Sequence, residues 1–196
     1  MRSEPRVTTK GIQLFVKEAI AYVFFFHGIA DWDPPTSIQE LRATIPRQIY
    51  FHEYIGQAIN HQCAIDDTIR FAEEEGFIVD LWLQLPTSEA RAQIELYLEV
   101  VRTKTRPVNL TIIHMLAFAA FLSRLAVQGD RTDLVITIIW RVVHVFARHF
   151  PLEWIYYDAR HWALAYNTRH FEIHNKLIEE DPFQESKPEY SQFAGP

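Results

Sequence analysis

The sequence VNLTIIHMLAFAAFLSRLAV, which spans residues 108–127, is an almost unbroken apolar run and predicts a buried central helix. At roughly 20 residues it is also long enough to cross a bilayer. Polar side chains are nevertheless spread along it, and such groups are costly against hydrocarbon unless they find partners: Asn109, Thr111, His114, Ser123 and Arg124. We therefore expect this helix to lie in the core of a soluble protein.

A second apolar helix is expected directly after the first. Residues 128–132 (QGDRT) supply the turn, in which Gly129 suits a left-handed cap and Asp130 or Thr132 suits an N-cap. The helix predicted from Asp133 to Phe150 is apolar nearly all round, so the two helices form an antiparallel hairpin. Because a helix that is apolar all round must be wrapped by others, the hairpin predicts an all-α bundle with a hydrophobic centre.

Composition limits the classes of protein to consider. A chain of 196 residues with 48 % hydrophobic residues fits one domain with a sizeable core. The formal net charge of −6 argues against a nucleic-acid binder, which needs a clustered basic face. The single cysteine, Cys63, excludes an internal disulfide framework and a multi-cysteine metal site. The N-terminal region does not resemble a signal peptide, so we expect a cytoplasmic protein.

Helical patterns precede the central run. The first predicted helix extends from Lys10 to His27 and ends at Gly28. A short helix is expected after it. Residues 49–75 then predict one long helix or two, with a weak point at Gly56.

Residues 77–85 (FIVDLWLQL) alternate well enough to pass for a β-strand. A single strand would have no pairing partner, so we expect a short helix or an irregular apolar segment here. The next helix is predicted from Glu89 to Thr103, and its inner stripe contains Ala90, Ile94, Tyr97, Leu98 and Val101. Two short helices, Leu152–Tyr157 and His161–Phe171, are expected after the hairpin.

These elements predict an all-α domain of about eight helices whose most apolar member is the fifth in order. We assign the helical domain to residues 10–178. Residues 1–9 are expected to be flexible, and residues 179–196 are expected to form a disordered tail.

Three segments carry recognisable residue patterns in the same order along the chain. The first segment is residues 14–33 (LFVKEAIAYVFFFHGIADWD), which contain Tyr22 and Trp32-Asp33. In the second, Val108-Asn109 is followed by residues 116–120 (LAFAA). In the third, Glu153-Trp154-Ile155 is followed by Trp162 and Tyr166. These patterns resemble, respectively, the fourth, first and second homology regions of the Bcl-2 family of apoptosis regulators. In that family, amphipathic helices surround a hydrophobic central hairpin.

The departures from the family pattern are informative. Where the family has tryptophan-glycine-arginine after valine-asparagine, this chain has Leu110-Thr111-Ile112. The family arginine pairs with an aspartate of the ligand helix, so Arg102 or Arg106 would have to supply a substitute charge. Residues 59–72 lack the leucine and glycine spacing of the ligand segment that death-promoting members carry. The resemblance therefore implies a member of the inhibitor type.

The resemblance implies that the chain blocks apoptosis by holding helices of pro-apoptotic relatives, of the Bim, Bid, Bak and Bax type, in a hydrophobic groove. It implies no cofactor, metal or catalysis, and it implies association with the mitochondrial outer membrane. Candidate floor and wall residues are Phe77, Leu81, Leu98, Val101, Ile112 and Phe118, with Asn109 and Thr111 at the rim of the central helix's N-terminus. Each apolar residue would equally suit the core. A cellular or a viral source, and a homodimer formed by helix exchange, stay open.

A Bcl-2 fold that has lost groove binding is one alternative, and two other classes of function compete as well. An enzyme or metal site would start from the nine histidines, but neither HExxH nor the Glu-x-x-His pairs of a di-iron bundle occur. A membrane-inserting protein also sheathes an apolar hairpin in amphipathic helices. In that case His114 and His144, which could face one another, and His149 would charge at low pH and loosen the packing.

Overall fold

A computed structural model describes residues 9–29, 32, 38–44, 51–64, 70, 72–105 and 108–170 of the chain. Within these ranges it is helical and contains no β-strand, which confirms the all-α class. The helices are α1 (Thr9–Phe26), α2 (Ile38–Thr44), α3 (Glu53–Ala64), α4 (Val79–Gln84), α5 (Thr87–Lys104), α6 (Val108–Gln128), α7 (Thr132–His149) and α8 (Leu152–His170). The expected flexible residues 1–8 and the expected tail from residue 179 lie outside the described residues, whereas Thr9 already belongs to α1.

The predicted central helix is confirmed as α6, which packs against α1, α3, α5, α7 and α8. Its residues from Ile112 to Leu122 are buried, apart from His114, which is half-buried. It is not the fifth helix in order, because residues 79–84 form a helix of their own. The span Leu110–Gln128, with a mean hydropathy of 1.9, is long and apolar enough to cross a membrane, but it is 72 % buried inside the fold. A core helix of a soluble protein has the same properties.

Helix α7 pairs with α6 as predicted, but it is not apolar all round. Its buried face contains Leu134, Val135, Ile138, Ile139, Val142, Val143, Val145 and Phe146. The opposite face exposes Ile136, Trp140, His144 and Ala147 at intervals of one helical turn. The correction matters because counting apolar residue types does not separate a buried stripe from exposed isoleucine and tryptophan.

The turn between α6 and α7 corrects the predicted cap. Asp130, not Gly129, adopts the left-handed conformation, with φ of 56°. The amide of Arg131 donates to the carbonyl of Ala126 at 2.7 Å and the amide of Asp130 donates to that of Val127 at 3.2 Å. This is the bonding pattern of a Schellman motif, in which asparagine or aspartate can replace the usual glycine.

Two further predictions change in the same way. Gly56 is not a weak point of α3: it lies where α3 meets α1, and a side-chain Cβ there would come within 2.4 Å of the Tyr22 ring. The two short helices expected after residue 151 are one helix, α8, because the residues between them, Asp158-Ala159-Arg160, include no helix breaker. Gly28, with φ of 70°, does end α1 as predicted.

Candidate functional site

Three aromatic rings meet where α4, α5 and α6 converge. The ring centroid of Tyr97 on α5 lies 4.1 Å from that of Phe118 on α6. Phe77, which directly precedes α4, lies 5.3 Å from Tyr97 and 5.2 Å from Phe118. Burial raises the pKa of the Tyr97 hydroxyl, and the nearby Glu75 carboxylate raises it further. We call Phe77, Tyr97 and Phe118 the aromatic cluster.

Five of the apolar residues predicted for the groove are buried, and two of them, Phe77 and Phe118, belong to the aromatic cluster. Phe77, Leu98, Val101, Ile112 and Phe118 all belong to the hydrophobic core, and Phe118 is only 1 % exposed. All five are covered in this structure. Their predicted role in ligand binding therefore depends on whether the cover can move.

The remaining predicted residues are placed differently. Leu81 is 56 % exposed and points away from the cluster region. Thr111 is not at a rim: it is 1 % exposed, and its hydroxyl has no hydrogen-bond partner among the described residues. One turn into α6, Thr111 already faces the packed side of the helix. The side chain of Asn109 lies outside the described part of the chain.

The cover is α4, and its inner anchor is Trp82, a residue that the sequence prediction missed. The indole is fully buried, its ring centroid lies 5.9 Å from that of Phe77, and its Nε1–H donates to the carbonyl of Ala90 on α5 at 3.1 Å. A continuous helix would have placed Phe77 and Leu81 on the same face. Residue 78 is instead extended and the helix begins at Val79, which shifts the phase so that Trp82 turns inward.

Polar contacts fasten both ends of this cover. At the C-terminal end of α4, Nη1 of Arg131 donates to the carbonyls of Leu83 and Leu85 at 2.6 and 3.1 Å. Arg131 also bonds Asp133, whose carboxylate accepts a hydrogen bond from Thr87 at 2.7 Å. These bonds from Arg131 and Thr87 lower the pKa of Asp133.

At the other end, Nζ of Lys104, the last residue of α5, donates to the Glu75 carboxylate at 2.6 Å. Glu75 lies directly before Gly76 and Phe77, so this ion pair holds the start of the covering segment. We call the Glu75–Lys104 pair and the Arg131 contacts the two latches.

The structure shows the surroundings of one of the two arginines that could replace the missing family arginine. Nε of Arg102 donates to Glu99 at 2.6 Å, and Glu99 also bonds His149 of α7 at 3.0 Å. Burial would raise the pKa of Glu99, but its bonds to Arg102 and His149 outweigh that effect and lower it. The charge of Arg102 is thus already engaged. Arg106 lies outside the described residues.

Residues considered for chemistry are dispersed. Among the described side chains, no three His, Cys, Asp or Glu residues are grouped closely enough to hold a metal ion. Cys63 is buried, its Sγ donates to the carbonyl of Ala117 at 3.1 Å, and burial raises its pKa to about 12. His114 bonds Gln62 of α3, whereas His144 is exposed on α7, so the two do not share one environment.

A separate cavity of about 580 Å³ lies over the exposed face of α7. Trp140, which is 49 % exposed, forms part of it together with the N-terminus of α1 and one residue of α5. The lining is Thr9, Arg91, Ile136, Thr137, Trp140, Arg141, Val143, His144 and Ala147. Arg141 is bonded to Glu95 at 2.7 Å, so its charge is compensated.

Comparison with known proteins identifies no relative: no family model matches the chain, and no curated protein and no solved structure is significantly similar to it.

Proposed function

We propose that the chain is a Bcl-2-like inhibitor of apoptosis that binds the ligand helices of pro-apoptotic proteins of the Bim, Bid, Bak and Bax type. The ligand would lie against α5 and α6, on the floor formed by Tyr97 and Phe118 of the aromatic cluster with Leu98, Val101 and Ile112. The protein would act in the cytoplasm and at the mitochondrial outer membrane, where the family it resembles acts. Catalysis and cofactors play no part in this proposal.

The observation that carries the proposal is the layered site between α4, α5 and α6. The short helix α4 packs on α5, Phe77 just before it contacts Phe118 of the central helix, and α1, α3, α5 and α8 surround that central helix. This order of parts supports a Bcl-2-like arrangement. An amphipathic helix that inserts apolar residues at positions i, i+3, i+4 and i+7 would complement such a floor.

Calorimetric titration of the purified protein with synthetic Bim, Bid, Bak and Bax helices tests the proposal. We expect submicromolar binding to at least one of them, and we expect binding to be lost when the ligand's aspartate or central leucine is replaced. A folded, helical protein that binds none of the four would refute the proposal.

The peptide affinities of Phe118→Ala and Phe146→Ala, compared with each other, test where the ligand binds. Both phenylalanines are buried, but Phe146 lies on α7 and outside the aromatic cluster. Each change should cost about 3–5 kcal/mol of stability, so both variants must first be shown to be folded. Only Phe118→Ala should weaken peptide binding strongly, and a charge reversal at the exposed Glu73 should have little effect. Equal losses of affinity for the two alanine variants would contradict the assignment.

Membrane insertion is the second candidate, and one observation favours it: α6 has the length and hydropathy of a membrane span. Of the predicted histidines, His144 is already exposed, so its charging would disturb little packing. Burial, reinforced by nearby arginines, instead lowers the pKa values of His27 and His52. Leakage of dye from anionic liposomes at acid pH would favour this candidate. Intact liposomes at every pH would remove it.

A further inference from the structure

We infer that the segment from Gly76 to Leu85, which contains α4, is a hinged lid that occupies the ligand site until a ligand helix displaces it. The inference rests on the function proposed above for the identity of the ligand. The lid itself rests on the geometry of the segment, its two latches and the surface beneath it.

The ends of the segment have the backbone geometry of hinges. Gly76 has φ of 84°, a conformation that residues with side chains rarely adopt, and a Cβ there would meet nothing within 4 Å. At the other end, Leu85 is extended, with φ of −71° and ψ of 150°, and Pro86 follows it. The helix between them has only six residues and packs principally on α5. A helix this short is not stable on its own, so its position depends on its contacts.

Apolar packing and one hydrogen bond hold the inner face of the segment. Phe77 and Trp82 are buried, Val79, Leu83 and Leu85 pack against the core, and Trp82 donates its hydrogen bond to Ala90. On its outer face, Ile78 and Leu81 are exposed, so α4 has apolar residues on both sides. The two latches supply the polar contacts at its ends, and both come from outside the segment.

Opening the lid would withdraw Phe77 and Trp82 from the floor. A cleft would then open against Tyr97, Phe118 and the inner stripe of α5. It would have two empty positions, each the size of the large aromatic ring that left it. The fitting partner is therefore an amphipathic helix with large apolar residues on one face. Because the lid competes with that helix, the apparent affinity equals the intrinsic affinity multiplied by the fraction of open molecules.

Arg131→Gln tests the inference because it removes the charged donor at the C-terminal latch and leaves the apolar contacts in place. Arg141→Gln is the matched control. Arg141 also donates from α7 to a partly exposed carboxylate, Glu95 on α5, but it does not contact α4. Hydrogen exchange of the amides of residues 77–85, measured by mass spectrometry without any ligand, reports lid opening directly. Calorimetry with the Bim-type helix reports its consequence for binding.

We expect Arg131→Gln to accelerate exchange of the lid amides at least about tenfold and to tighten peptide binding by a similar factor, with both unchanged in Arg141→Gln. If Arg131→Gln does not fold, Asp133→Asn replaces it, because it removes the carboxylate that orients Arg131 toward the lid, and the same changes in exchange and affinity are expected. Lid exchange that matches the control would overturn the inference, and so would faster exchange with an unchanged affinity for a bound peptide. Faster exchange in a protein that binds no peptide would support the lid and refute the proposed ligand.

Discussion

Gly56→Ala should destabilise the fold although alanine is the better helix former. The added Cβ would lie 2.4 Å from Cγ and 2.5 Å from Cδ1 of Tyr22, closer than real Cβ atoms come to other atoms. The ring cannot swing away easily, because these atoms lie at its root and because the rings of Phe26 and Phe51 pack at 5.0 and 6.2 Å. Overpacking costs up to about 3 kcal/mol, and alanine recovers about 1 kcal/mol of helix propensity. We expect a net loss of about 2 kcal/mol.

Urea unfolding followed by circular dichroism measures this loss, and a double-mutant cycle identifies its cause. In a Tyr22→Ala background the clash is absent, so Gly56→Ala should become neutral or stabilising by up to about 1 kcal/mol. The same destabilisation in both backgrounds would show that α1 and α3 do not meet at these residues.

Three further predictions concern two histidines, the single cysteine and two tryptophans. The free energy of unfolding should fall as the pH is lowered from 6.5 through the depressed pKa values of His27 and His52, because the unfolded chain binds these protons more readily. The difference between the urea midpoints at about pH 7.5 and 5.5 should therefore be smaller in a His27→Gln/His52→Gln variant than in the unmodified protein. An unchanged difference would exclude both histidines as the cause of the pH dependence. Cys63 should react with a thiol reagent at least ~1,000-fold more slowly in the native protein than in urea, since burial raises its pKa to about 12. Rapid labelling of the native protein would show that α3 opens readily. Trp82→Phe should cost about 1 kcal/mol or more through the lost bond to Ala90, whereas Trp140→Phe at the exposed face of α7 should stay within about 0.5 kcal/mol; similar losses by urea unfolding would contradict the burial of Trp82.

Periodicity predicted the elements in which one face is buried and the other is solvated. The stripe Ala90, Ile94, Tyr97, Leu98 and Val101 on α5 is the set of residues that the structure buries in that helix. The pattern works there because polar residues fill the other positions, so only one rotation of the helix hides the apolar side chains. The central helix α6 was predictable for a related reason, since an apolar run of this length that contains several polar side chains fits a protein core better than a bilayer.

The errors arose where residue types alone could not determine the geometry. In the turn after α6, Gly129 and Asp130 are both suited to positive φ, and the registers of α6 and α7 select Asp130. For Gly56, helix propensity indicates a weak point, but its role depends on Tyr22, which is distant in sequence. In the candidate site, the extended residue Ile78 rotates the helix that follows it, so Trp82 faces inward where Leu81 was predicted to. Such a rotation changes neither the composition of the segment nor the spacing of its apolar residues.

The turn at residues 129–131 has a practical consequence for anyone who labels this protein. It is a short, exposed, polar connection between two long helices, which is ordinarily a good place to insert a tag or a fluorescent peptide. Arg131 nevertheless leaves this turn to bond two carbonyls of a different helix, α4, so the length of the turn determines whether that side chain reaches them. An insertion there would leave the hairpin intact and still disconnect a remote segment. A label at this turn would alter the behaviour that it was meant to report.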